Sequence, residues 1–106
     1  MPMYLVQASY TPEGAKGLLK DGGTKRRAAL QQMTEKAGGK LHGFYFAFGD
    51  TDVYLIAEYP DQAAAAAVCL QVGASGAARV KTTVLITPEE VDAAVKKPVA
   101  YRAPGA

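Results

Sequence analysis

Lys40 to Pro60 reads KLHGFYFAFGDTDVYLIAEYP, and this stretch decides the fold. Leu41 to Phe48 and Val53 to Tyr59 are two runs of aromatic and β-branched residues, separated by the acidic turn Gly49-Asp50-Thr51-Asp52. Strand formers on both sides of a Gly- and Asp-rich break predict a β-hairpin. Strand three alternates: Val53, Leu55, Ala57 and Tyr59 share one face, Asp52, Tyr54, Ile56 and Glu58 the other. Strand two does not. Counted by twos, His42, Phe44, Phe46 and Phe48 oppose Leu41, Gly43, Tyr45 and Ala47, and both sets are apolar. Strict alternation then predicts burial on both faces.

Upstream, Met3 to Tyr10 forms a first strand, with Tyr4, Val6, Ala8 and Tyr10 on one face. Thr11-Pro12-Glu13 opens a helix: a hydroxyl cap, proline at the first position and an acid at the positive end. Gly14, Gly17 and Gly22-Gly23 weaken it, since glycine costs about 1 kcal/mol against alanine. A short turn over 12–20 is therefore expected, then a fresh cap at Thr24 and a helix from Lys25 to Ala37, with Ala29, Leu30, Met33 and Ala37 on one side. Gly38-Gly39 stops it.

Downstream, Asp61 caps a helix from Gln62 to about Val72 containing five successive alanines, whose small sides allow a close approach to a sheet. A fourth strand spans Arg79 to Ile86. Thr87-Pro88-Glu89-Glu90 is a capping box that starts a C-terminal helix, ended by Pro98. The order β-α-β-β-α-β plus a helix is α+β and ferredoxin-like, with a four-stranded antiparallel sheet. Residues 1–97 make the domain and 98–106 an extended tail.

The bulk properties fit one small globular domain. The chain has 106 residues, 49% apolar and 21% charged, with a net charge of +2. That charge is too low to predict a nucleic-acid or membrane partner. One cysteine, Cys69, excludes an internal disulfide. No apolar run is long enough to cross a bilayer and no signal segment opens the chain, so a cytoplasmic protein is expected.

Tyr4, Tyr10-Thr11-Pro12-Glu13-Gly14, Gly38-Gly39-Lys40-Leu41, Phe44-Tyr45, Gly49-Asp50-Thr51-Asp52 and Tyr59-Pro60-Asp61 resemble the GYD-domain family of small bacterial proteins. The resemblance runs from about Met3 to Glu90. It implies a ferredoxin-like fold of the dimeric α/β-barrel kind and no settled activity. Thr51 stands where the family's name-giving turn has tyrosine, so nothing here can rest on that ring or hydroxyl.

Few residues have the makings of chemistry. Asp50 and Asp52 could share a cation, but aspartates also stabilise turns through their own backbone, and no third ligand is in sight. His42, the one histidine, and Cys69 lie too far apart for a zinc site. No metal or cofactor is expected, and no nucleophile–base set is visible. His42-Gly43-Phe44-Tyr45-Phe46 looks like an RNA-recognition motif but falls on the wrong strand and lacks its leading basic residue. Lys25-Arg26-Arg27 could meet an anion, though basic residues on a helix are usually a solvated face.

Two readings stay open. One is a homo-oligomer, dimeric at its core, that binds a small molecule or serves as a regulatory or assembly module. A second copy would cover the free sheet face that the C-terminal helix could otherwise cover. The other is a small cofactor-free monooxygenase or isomerase with a pocket between sheet and helices. By analogy of fold alone, His42, Tyr45, Tyr54 and Glu58 would be the polar groups of such a pocket.

Overall fold

The computed structural model describes all 106 residues. Its elements are β1 (Met3–Tyr10), α1 (Pro12–Asp21), α2 (Gly23–Lys36), β2 (Lys40–Phe46), β3 (Val53–Glu58), α3 (Gln62–Ala74), β4 (Ala78–Leu85) and α4 (Pro88–Val95). The four strands form one antiparallel sheet in the order β2-β3-β1-β4. This is the ferredoxin-like arrangement expected from the order of elements.

Register explains which side chains meet. Tyr4 stands between Ala57 and Val84, Val6 between Leu55 and Thr82, and Ala8 between Val53 and Val80. These rows face the helices: α2 packs along β2 and α3 along β4. Tyr4, Val6, Val53, Leu55, Ala57 and Tyr59 are buried there with Leu30, Ala65 and Val68. Each fully buried large aliphatic chain contributes about 1.5–3 kcal/mol relative to exposure. The rings of Tyr4 and Tyr59 lie 5.7 Å apart and tilted by 59°.

The first helical region differs from expectation. α1 is a full ten-residue helix rather than a short turn, and α2 begins at Gly23 without a cap from Thr24. Thr11 explains the gain. Its hydroxyl accepts from the Gly14 amide and donates to the Gly76 carbonyl, tying the helix start to the loop before β4. Gly22, at φ +79°, then turns the chain between the two helices, a conformation open to glycine at little cost.

Strand two also departs from strict alternation. Leu41 pairs with Ala57 but Gly43 pairs with Ile56, so His42 is an extra residue, a β-bulge on an edge strand. Leu41, Phe44 and Phe46 all lie opposite the helix-facing row of β3 as a result. Gly43 and Tyr45 lie opposite Ile56 and Tyr54 on the other face. The apparent two-sided apolar strand is thus a one-sided apolar strand with a phase shift. β2 ends at Phe46, and Ala47 and Phe48 belong to the following loop.

α4 begins with the expected capping box: the Glu90 amide donates to the Thr87 hydroxyl and the Thr87 amide to Glu90 Oε1, both at 3.1 Å. It buries none of its residues, so it does not close the free face of the sheet. Pro98 to Ala106 is exposed throughout. The radius of gyration is 17.0 Å, against about 13 Å for a compact chain of this length. No helix is long and apolar enough to cross a membrane.

Candidate functional site

Two regions carry unusual side chains, and they lie on opposite faces of the sheet. The open face has the rows Lys40-Glu58-Met3-Leu85, Gly43-Ile56-Leu5-Thr83 and Tyr45-Tyr54-Gln7-Lys81. Its centre is apolar and one margin is polar. All four residues expected to bind a ligand are at that margin. Tyr45 stands directly opposite Tyr54, and both are exposed, at 68% and 38%. His42 Nε2 meets Glu58 Oε1 at 2.5 Å, each side chain part-exposed. The structure therefore forms two pairs, His42–Glu58 and Tyr45–Tyr54, separated by the Gly43–Ile56 row and lying on the face away from the helices rather than in a pocket beneath them. The reason is parity: Glu58 and Tyr54 alternate with the buried Val53, Leu55 and Ala57. His42 and Tyr45 also line a polar groove of about 220 Å³ at the β2 edge, with Arg27 and Gln31 of α2.

The acidic turn is structural. Asp52 accepts from the Tyr10 amide through Oδ2 at 2.8 Å, while its own amide donates to the Ala8 carbonyl at 2.9 Å. The Ser9 hydroxyl donates to the Asp50 carbonyl at 2.6 Å. Gln7 Nε2 reaches the Thr51 hydroxyl at 3.5 Å, a long contact. The turn is thereby pinned to β1, and no group of three or more His, Cys, Asp or Glu side chains gathers there or elsewhere.

Between sheet and helices lies a second region, lined by residues that sequence reasoning left out of the site. A cavity of about 40 Å³ runs among Val6, Ala8, Leu55, Val68 and Val80. It adjoins a groove of about 310 Å³ between α2 and α3, and the two share Tyr10, Arg26, Leu30, Val72 and Ala78. Arg26 is the one charged residue in either lining. Its Nε is buried and has no hydrogen-bond partner in the chain. Lys25 and Arg27, its neighbours in the basic triplet, are exposed. The signal was present in the spacing: Arg26, Leu30, Met33 and Ala37 follow one another at intervals of four, three and four. That is one helical stripe, with an arginine at its N-terminal end.

Tyr59 and Cys69 also reach this cavity. Tyr59 is 1% exposed, and burial raises its phenol above the ordinary value, with the Cys69 thiol adding to the effect. The Thr34 hydroxyl works against it, although that hydroxyl forms no hydrogen bond of good geometry and so acts as a nearby dipole. Cys69 Sγ lies 3.1 Å from the Thr82 hydroxyl, joining α3 to β4.

Among known families, the model described as GYD domain matches residues 4–95. Comparison with curated proteins and with solved structures returns no match.

Proposed function

This chain belongs to the GYD-domain family, and we propose that it works as a self-pairing module that binds a small molecule, two copies joined through the open faces of their sheets. The observation that carries the reading is that uncovered face. Leu5 and Ile56 occupy its middle, with Met3 and Leu85 in the next row, Ile56 is 36% exposed, and α4 lies elsewhere. A face of this kind, rimmed by polar residues, is typical of an interaction surface. A two-fold pairing needs only that the patch complement itself. A stable interface of this kind requires about 800 Å² from each copy. In such a pair His42, Glu58, Tyr45 and Tyr54 stand at the rim, where phenols and an imidazole–carboxylate pair can hydrogen-bond a ligand's polar groups.

Light scattering on a sizing column at micromolar concentration tests the pairing. The expected mass is twice the 11.1 kDa of the chain. Ile56→Lys sets a charge into the middle of the joint and should give the monomer. A monomeric wild-type protein would overturn the reading. The enzymatic alternative would need its polar residues in the cleft beneath the helices, and Tyr54 and Glu58 face the other side of the sheet.

A further inference from the structure

We propose that the cleft between α2, α3 and the sheet binds a slim amphipathic monocarboxylate, with the Arg26 guanidinium holding the carboxylate and the apolar walls holding the tail. The proposal concerns the opposite face of the sheet from the rim described above and is independent of self-pairing. Arg26 is permanently charged, yet its Nε is buried without a partner. No basic side chain other than His42 lies within salt-bridge distance of a carboxylate, so none in the chain neutralises Arg26. A buried donor left unpaired costs free energy, and a charged one costs more.

Three features narrow the ligand. A guanidinium carries parallel N–H groups, a fork that fits a planar carboxylate, and Arg26 lines both the cavity and the groove. Arg26 is alone: no second cation lines the cavity or the groove, so one negative charge is matched and a second is not. The walls are otherwise dominated by Val6, Leu30, Leu55, Val68, Val72 and Val80, which favour an apolar body. The groove is roomy at about 310 Å³, whereas the inner cavity at about 40 Å³ admits the end of an alkyl chain.

The competing account is that Arg26 lays its aliphatic stem along apolar surface and keeps only its tip in water. Titration calorimetry with octanoate and with octanol separates the two. Wild-type protein should bind octanoate saturably, and octanol roughly ten- to a hundredfold more weakly, the usual range for one charge-assisted pair. Arg26→Gln should bring octanoate down to the octanol level, with circular dichroism checking its fold. Ala29→Phe, a change at an exposed position on the groove wall, should abolish both while leaving Arg26 in place. Should Arg26→Gln fail to fold, the octanoate–octanol ratio and Ala29→Phe decide. Absence of octanoate binding at millimolar concentration, or equal binding of octanoate and octanol, overturns the proposal. Light scattering on the same samples keeps the readings apart: a monomer that binds octanoate refutes the pairing alone, a dimer that does not refutes the carboxylate site alone.

Discussion

His42 and Glu58 meet side chain to side chain across the β2–β3 pair, Nε2 to Oε1 at 2.5 Å, although Glu58 is the register partner of Lys40. The extra residue of the bulge makes this possible, because His42 is freed from the ladder that fixes its neighbours. Both side chains are part-exposed, which limits what the contact can add. A double-mutant cycle with His42→Ala and Glu58→Ala should therefore give a coupling of about 1 kcal/mol or less in urea unfolding. A larger coupling would mean that the pair is a structural clamp on β2.

Asp50 and Asp52 are two residues apart but should respond very differently to removal. The Asp52 carboxylate takes the Tyr10 amide at 2.8 Å, a charge-assisted bond joining the hairpin turn to the end of β1. Asp52→Ala should cost about 1–3 kcal/mol. Asp50 contributes its backbone carbonyl, which Asp50→Ala retains, so the change should stay within about 0.5 kcal/mol. Thermal melts of the two variants give the comparison, and equal losses would contradict the assigned roles.

The strand order was legible because each turn is marked by glycine, proline or aspartate and each strand by β-branched or aromatic residues. β3 alternates cleanly, so its buried row could be named in advance and is the buried row observed. The bulge was not legible: counting by twos from Leu41 puts Phe44 on the wrong face, and nothing local in Leu41-His42-Gly43 announces a phase shift. The polar quartet was placed in a helix-side pocket by analogy of fold, against the alternation of β3, which sets Tyr54 and Glu58 on the other face. Arg26 was set aside with its neighbours as a solvated face. Read with Lys25 and Arg27 it is part of a charge run, and read with Leu30 and Met33 it is part of the core stripe. Only the position of α2 against α3 distinguishes the two, and that is set by tertiary packing.

Helix α1 contains a paired test of what glycine does. At Gly14 a Cβ would stand 1.9 Å from the Ala77 carbonyl oxygen, so the backbones of α1 and the loop before β4 touch. Gly14→Ala should destabilise by roughly 1–3 kcal/mol, because one of the two segments must move. At Gly17 a Cβ meets nothing within 4 Å. Gly17→Ala should stabilise by about 0.5–1 kcal/mol through helix propensity alone. Denaturant midpoints should thus move in opposite directions. A stabilising Gly14→Ala would show that α1 does not pack this closely.

The buried phenol of Tyr59 should be visible in the alkaline limb of the stability curve. Burial raises its pKa in the folded chain above the ordinary 10.0, so the folded state holds the proton more tightly than the unfolded state. Its stabilising contribution is complete below about pH 10 and is lost as pH rises from there through the folded value. The direction is that of any group whose folded pKa is raised: stability falls with increasing pH. Tyr59→Phe removes the titrating group while keeping the ring that packs against Tyr4 at 5.7 Å. Urea unfolding of both proteins between pH 8 and about pH 11 should show a shallower alkaline decline in the variant. Every other ionisable group is common to both proteins, so the difference between the curves isolates Tyr59. Parallel curves would mean that its hydroxyl is as well solvated in the folded chain as in the unfolded one.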